Sequence, residues 1–162
     1  MKSVLLILGL ILLVAPAYSQ TAPGTGTFGL TAQFSGIAAA SDVATMSNGL
    51  NALYIVAPNV VLLGGISLTS ISDAATIFGF DVGAYYRLHE RQFTPIFGGA
   101  IILNIVSPKG ANSTTSFGIV LGGGAAYYVS KNFGMNLTEG LQFSSNPSTF
   151  AFVTKMGIDW YF

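Results

Sequence analysis

Cysteine is absent from the 162 residues, and charge is nearly so: six basic and six acidic side chains make up 7% of the chain. Without cysteine there is no disulfide, no thiolate metal site and no lipidated cysteine behind a leader. An ordinary soluble domain carries roughly 25% charged residues, so this chain has too little charge to cover a cytosolic globular surface. Disorder is excluded as well, because it needs low hydrophobicity and high charge. Formal neutrality, with Lys and Arg scattered, excludes the basic footprint of a nucleic-acid binder. The single histidine, His89, has no His/Asp/Glu cluster around it in the sequence for a metal and no credible Ser–His–Asp set. No cofactor is expected.

What the chain does have is apolar character (51% of residues) and 20 glycines. Its first 19 residues read as a cleaved secretory signal peptide. Lys2 supplies the charged start, Val4–Val14 the apolar core, and Ala17-Tyr18-Ser19 the small residues before cleavage after Ser19. An uncleaved spanning helix would need about 20 apolar residues, and Pro16 and Ser19-Gln20 end the run too early. Residues 20–25 form a short N-terminal segment. No later run is long enough for a spanning helix, since Ile96–Val106 is short and follows Pro95. An exported, apolar chain with no such helix has one remaining way to satisfy its backbone in lipid, a closed β-barrel.

Periodicity supports that choice. Phe28, Leu30, Ala32 and Phe34 alternate with Thr27, Gly29, Thr31, Gln33 and Ser35. In 116–129, Phe117, Ile119, Leu121, Ala125 and Tyr127 alternate with small residues, with Val120 and Tyr128 as exceptions. In 149–162, Phe150, Phe152, Met156, Ile158, Trp160 and Phe162 oppose Lys155, Gly157 and Asp159. A period of two with an apolar face toward lipid and a small or polar face toward a lumen marks barrel strands. Eight strands are predicted, over 26–36, 48–57, 60–70, 76–88, 93–106, 116–129, 133–144 and 149–162. Tight turns (58–59, 89–92, 130–132) alternate with looser connections (37–47, 71–75, 107–115, 145–148), as expected of periplasmic turns and external loops. The expected fold class is therefore all-β: an eight-stranded antiparallel up-and-down transmembrane β-barrel over residues 26–162.

The C-terminus resembles the terminal-strand signal of bacterial outer-membrane proteins. Ile158, Trp160 and Phe162 share a face and the chain ends in phenylalanine. Segments 85–100 (YYRLHERQFTPIFGGA) and 122–137 (GGGAAYYVSKNFGMNL) are similar to small barrels of the outer membrane protein A type. The resemblance implies residence in the bacterial outer membrane, contact with its lipid, and recognition by the barrel assembly machinery during biogenesis. The chain departs from outer membrane protein A in carrying no peptidoglycan-binding domain, so cell-wall anchoring is not implied.

The lumen of eight strands holds side chains and little else. Alternation points Asp81, Arg87, Lys155 and Asp159 inward, with Asp81 and Lys155 near mid-height and Arg87 and Asp159 near the periplasmic end. Buried charges need partners, so these four are expected to form an ion-pair network that plugs the lumen. Solvated charges in a water-filled lumen are the alternative. Glu139 does not fit. Strict alternation aims it at lipid with Leu137 and Leu141; a bulge near Gly140 would turn it toward Lys155, or the strand register differs there, and the sequence leaves its direction open. Tyr54, Tyr86, Tyr127, Trp160 and Phe162 fall near predicted strand ends, as an interfacial girdle requires. His89 falls in a periplasmic turn, the wrong end for barrel enzymes that act near the outer leaflet.

The expected function is non-enzymatic: an integral outer-membrane barrel with a structural or surface-interaction role and a plugged lumen, its surface partner unassigned. A second reading is a narrow channel for small or hydrophobic solutes, similar to the outer membrane protein W type. A third is a soluble periplasmic barrel of lipocalin type, for which the charges are too few.

Overall fold

The computed structural model describes residues 22–39, 44–71, 74–145 and 148–162, so the expected signal peptide lies outside the described residues. Eight strands follow one another in chain order: β1 Phe28–Ala39, β2 Ala44–Ala57, β3 Val60–Ile71, β4 Ala75–Arg87, β5 Phe93–Pro108, β6 Thr114–Ser130, β7 Phe133–Ser145 and β8 Ser148–Tyr161. Each pairs antiparallel with the next, and β8 pairs with β1 to close the barrel. Closure leaves no unpaired strand edge, the condition for a sheet within lipid.

The stagger of the barrel can be followed residue by residue. Phe28 faces Tyr54, then the register runs through Leu62, Ala84, Gly99, Leu121, Leu141 and Phe152. Phe152 faces Ala38, ten residues beyond the start. Such an offset requires strands tilted against the barrel axis, which sets which residues share a height.

Alternation sorts the two faces as expected. Ile55 and Val61 are 0% exposed, whereas Val56 is 40% and Leu62 is 44% exposed. Phe150, Phe152, Val82 and Leu121 are the same contrast at its strongest, at 66–72% exposure. No water-soluble fold would leave so continuous an apolar exterior. Val120 and Tyr128, exceptions to a polar lumen, are buried on the inner face with Ser116 and Ala126. They are packing residues.

The strands are longer at the loop end than the periodicity suggests. β1 continues to Ala39 and β2 begins at Ala44, so the expected loop 37–47 shrinks. The expected loop 107–115 also shortens, because β5 reaches Pro108 and β6 starts at Thr114. These extensions are rich in Ser, Thr and Ala. Ladder pairing satisfies their backbone without needing an apolar face, which is why hydrophobic alternation misses them.

Candidate functional site within the lumen

The turn end of the barrel is built from a repeated unit. The last inward position of each even strand donates its backbone N–H to a carbonyl in the chain just before an odd strand or in a tight turn. Ile55 donates to Thr27 O at 3.0 Å, Arg87 to Asn59 O at 2.7 Å, Tyr128 to Gln92 O at 2.7 Å, and Tyr161 to Asn132 O at 2.9 Å. The side chains of these four residues are at most 2% exposed. They form a ring across the lumen, one from each of β2, β4, β6 and β8. Leu53, Val61, Ile96 and Ala126 complete an apolar core around it.

Arg87 is the charged member of the ring and is 0% exposed. Its Nη1 donates to Pro23 O at 3.0 Å and its Nη2 to Pro58 O at 2.5 Å. Arg87 thereby ties the segment before β1 to the β2–β3 turn. Ala22 is buried in the same core, and Gly26 N donates to Ile55 O at 2.8 Å. Gly26 has φ of 84°, a left-handed turn that glycine adopts without strain, and it directs the chain from the mouth into β1. Arg87 Nε and Tyr128 Oη are buried without hydrogen-bond partners.

Asp159 sits one layer above. Asn136 Nδ2 donates to both carboxylate oxygens, at 2.9 and 3.0 Å, and the Tyr161 hydroxyl lies 3.4 Å from Oδ2. Thr31 is its direct cross-strand neighbour. Asp159 is 1% exposed, so these donors replace water around its charge. Glycine supplies the room: Gly157 is paired with Asn136, and a Cβ there would stand 2.5 Å from the Asn136 amide nitrogen.

Asp81 and Lys155 face each other's charge across the middle of the lumen, from opposite walls. Asp81 Oδ2 has no hydrogen-bond partner. Beside Lys155 lies a cavity of about 100 Å³, bordered by Gln33, Asn51, Asn136 and Thr138 on its polar side and by Leu63 and Val120 on its apolar side. Asn51 Nδ2 donates to Gln33 Oε1 at 3.1 Å, while Asn51 Oδ1 is buried without a partner. The space suits a few waters with these polar groups as their anchors.

The four expected lumen charges therefore all point inward, but as two groups. Asp81 and Lys155 occupy the middle of the lumen, where each lies within the other's field without a hydrogen bond between them. Arg87 and Asp159 belong to the turn-end layers, with Tyr85, Tyr128 and Tyr161 around them. Asn136, Tyr161 and the Pro23 carbonyl were missing from the expectation. Alternation in β7 and β8 places Asn136 and Tyr161 inward, so their signal was available; a backbone acceptor ahead of β1 has no sequence signature.

Glu139, whose direction the sequence leaves open, stands apart from the four lumen charges. The register is regular on both sides of it, where it faces Gly123 and Thr154. The two register shifts in the sheet lie elsewhere, at Ile55/Ala57 and Tyr128/Ser130, both at the turn end. With no bulge near Gly140, Glu139 keeps the outward direction that alternation assigns and is exposed.

The aromatic residues at the turn end are anchored to the turns. Asn59 Nδ2 donates to the Tyr86 hydroxyl at 3.0 Å, and Gln92 Nε2 to the Tyr127 hydroxyl at 3.1 Å. Trp160 packs edge-on against Phe133, with ring centroids 5.8 Å apart. Tyr54, Tyr86, Trp160 and Phe162 are exposed on the outer face. This is the arrangement that suits a membrane–water boundary. His89 lies in the β4–β5 turn, where its carbonyl accepts from Thr94 Oγ1 at 2.7 Å. Among the described residues there is no group of three metal-ligating side chains, and no helix is long and apolar enough to cross a membrane.

No protein-family model and no curated protein matches the chain. Solved structures do resemble it. The N-terminal β-barrel domain of Pseudomonas aeruginosa OprF superposes with a TM-score of 0.68 at 14% identity, covering 86% of this chain and 99% of that one. Neisserial surface protein A (NspA) gives 0.66 at 14% identity, covering 84% and 96%. A de novo designed transmembrane β-barrel gives 0.52 at 17% identity, covering 90% and 100%. At these identities the likeness is one of fold: a small closed barrel with an apolar exterior.

Proposed function

We propose that this chain is an integral barrel of the bacterial outer membrane with a non-enzymatic, structural or surface-interaction role, its lumen blocked at the periplasmic mouth. The apolar exterior supports membrane residence, and the similarity to the barrels of OprF and NspA supports the outer membrane as the location. The observation that carries the blocked lumen is the ring of Ile55, Arg87, Tyr128 and Tyr161, with Arg87 bound to Pro23 and Pro58. Opening such a mouth would break two charge-assisted hydrogen bonds and expose an apolar core at once. In this reading the tight turns face the periplasm, and the exposed β5–β6 turn faces outward with the other loops. Outer-membrane lipid surrounds the barrel. The barrel assembly machinery reads Ile158, Trp160 and Phe162, which lie on the outer face of the closing strand.

The test is single-channel recording of the chain refolded into planar bilayers, alongside an Arg87→Ser/Tyr128→Ala variant. Folding of each is verified by the difference in gel mobility between unheated and boiled samples. The expected result is a silent native barrel and a variant that shows discrete openings. Steady conductance from the native chain would overturn the plug and establish the narrow channel, whose path would run through the mid-lumen cavity.

A further inference from the structure

Five charged residues lie within the eight strands: Asp81, Arg87, Glu139, Lys155 and Asp159. Four point into the lumen. Glu139 alone points out, from the middle of β7, with Leu137 and Leu141 on either side at 47% and 51% exposure. Among the described residues nothing in the chain bonds to it. A carboxyl in the apolar belt, with water excluded, lacks the hydrogen bonds it needs.

Its surroundings on the outer wall are unlike the rest of the belt. The register places Gly123, Glu139, Thr154 and Gly36 side by side across β6, β7, β8 and β1. No large apolar side chain stands in this row. A Cβ on Gly36 would meet nothing within 4 Å, so the wall there is open. Phe152 and Met156, at 67% and 51% exposure, stand to either side of Thr154 along β8. The result is a shallow polar notch with apolar borders, holding one carboxyl and one hydroxyl.

We propose that this notch is a self-association surface, at which two copies of the chain exchange hydrogen bonds between Glu139 of one and Thr154 of the other. The inference rests on the membrane reading above. Symmetry favours a second copy as the occupant. Two barrels inserted in the same direction are related by a two-fold axis along the membrane normal, which preserves height. Glu139 of one copy therefore meets the Glu139 and Thr154 of its partner at the same depth. A two-fold contact has to be self-complementary. A carboxyl acceptor paired across one strand gap with a hydroxyl donor fulfils this reciprocally. The bare Gly36 and Gly123 positions let the two walls approach, as small residues do where membrane segments pack closely.

The experiment uses the full mature chain in lipid vesicles at a low protein-to-lipid ratio. The native chain has no cysteine, so Met156→Cys beside the notch and Val82→Cys on the far wall each give one thiol for a short bis-maleimide. Covalent dimer from Met156→Cys and little from Val82→Cys is expected. Adding Glu139→Gln should keep the dimer, because an amide still hydrogen-bonds to Thr154. Adding Glu139→Leu should lower the dimer fraction by about tenfold, the scale of two modest hydrogen bonds within a membrane. Heat-dependent gel mobility and resistance of the inserted barrel to protease report folding separately. Inserted, folded barrels that cross-link equally from both walls, or that ignore Glu139→Leu, would overturn the notch as an interface. So would inserted barrels that stay monomeric, whereas failure to insert at all would overturn the membrane reading itself.

Discussion

Asn136 holds Asp159 by both carboxylate oxygens through a single amide nitrogen, at 2.9 and 3.0 Å. The two residues come from adjacent strands, and Gly157 is the neighbour that leaves the amide its space. Replacing Asn136 by Ala would leave a buried carboxylate with the weaker Tyr161 contact. A loss of about 2–3 kcal/mol in folding stability is expected, the scale of an unmet hydrogen bond to a charged group. Urea unfolding in vesicles measures it. A change below about 0.5 kcal/mol would mean that water solvates Asp159 in place of Asn136.

Arg87 acts on a different part of the molecule, because its guanidinium binds backbone carbonyls of two separate segments. Arg87→Met keeps much of the volume and removes both charge-assisted bonds. The expected cost is about 3 kcal/mol. Residues near Pro23 should also become open to protease at temperatures at which the barrel remains folded. Retained protection of that segment would show that burial of Ala22 alone holds it in place.

The fold was legible in the sequence because a two-residue period survives in nearly every strand, and outward residues such as Phe117, Ile119 and Leu121 are large. Strand ends at the loop side were not, since Ala, Ser and Thr pair in a ladder without leaving an alternating signal. The inward direction of Asp81, Arg87, Lys155 and Asp159 followed from the same period. Their grouping did not. Which inward residues meet depends on the ten-residue stagger between Phe28 and Ala38, a property of closure around the whole barrel. The floor of the lumen escaped for another reason: Pro23 contributes a carbonyl, which every residue has.

Tyr85 lies directly across from Gly98. A Cβ at Gly98 would stand 2.6 Å from Tyr85 Cα and 2.8 Å from its Cβ. Gly98→Ala should therefore push β4 and β5 apart and cost about 1–3 kcal/mol, the usual range for overpacking. Gly36→Ala serves as the comparison, since open space surrounds that position, and it should leave unfolding in detergent unchanged. Equal effects at the two sites would mean that the β4 backbone shifts at no cost and the glycine is not a packing requirement.

The two mid-lumen charges separate a plug from a hydrated lumen most directly. Asp81 and Lys155 feel each other's charge across the barrel, and Asp81 Oδ2 has no hydrogen bond of its own. If the two charges depend on each other, Lys155→Met strands Asp81 and costs stability, and so does Asp81→Asn. The double variant should then recover much of the loss, because removing both members of a buried pair is far less harmful than removing one. A coupling of about 1–2 kcal/mol is expected from the cycle, reduced from the fully buried case by the adjoining cavity. Four unfolding curves in vesicles supply the number. A coupling under about 0.5 kcal/mol would mean that the cavity water solvates each charge separately. The barrel would then be closed by the ring of Ile55, Arg87, Tyr128 and Tyr161 alone. In that case only variants at the ring would open it, and Lys155→Met added to Arg87→Ser/Tyr128→Ala would change ion selectivity without changing how often openings occur.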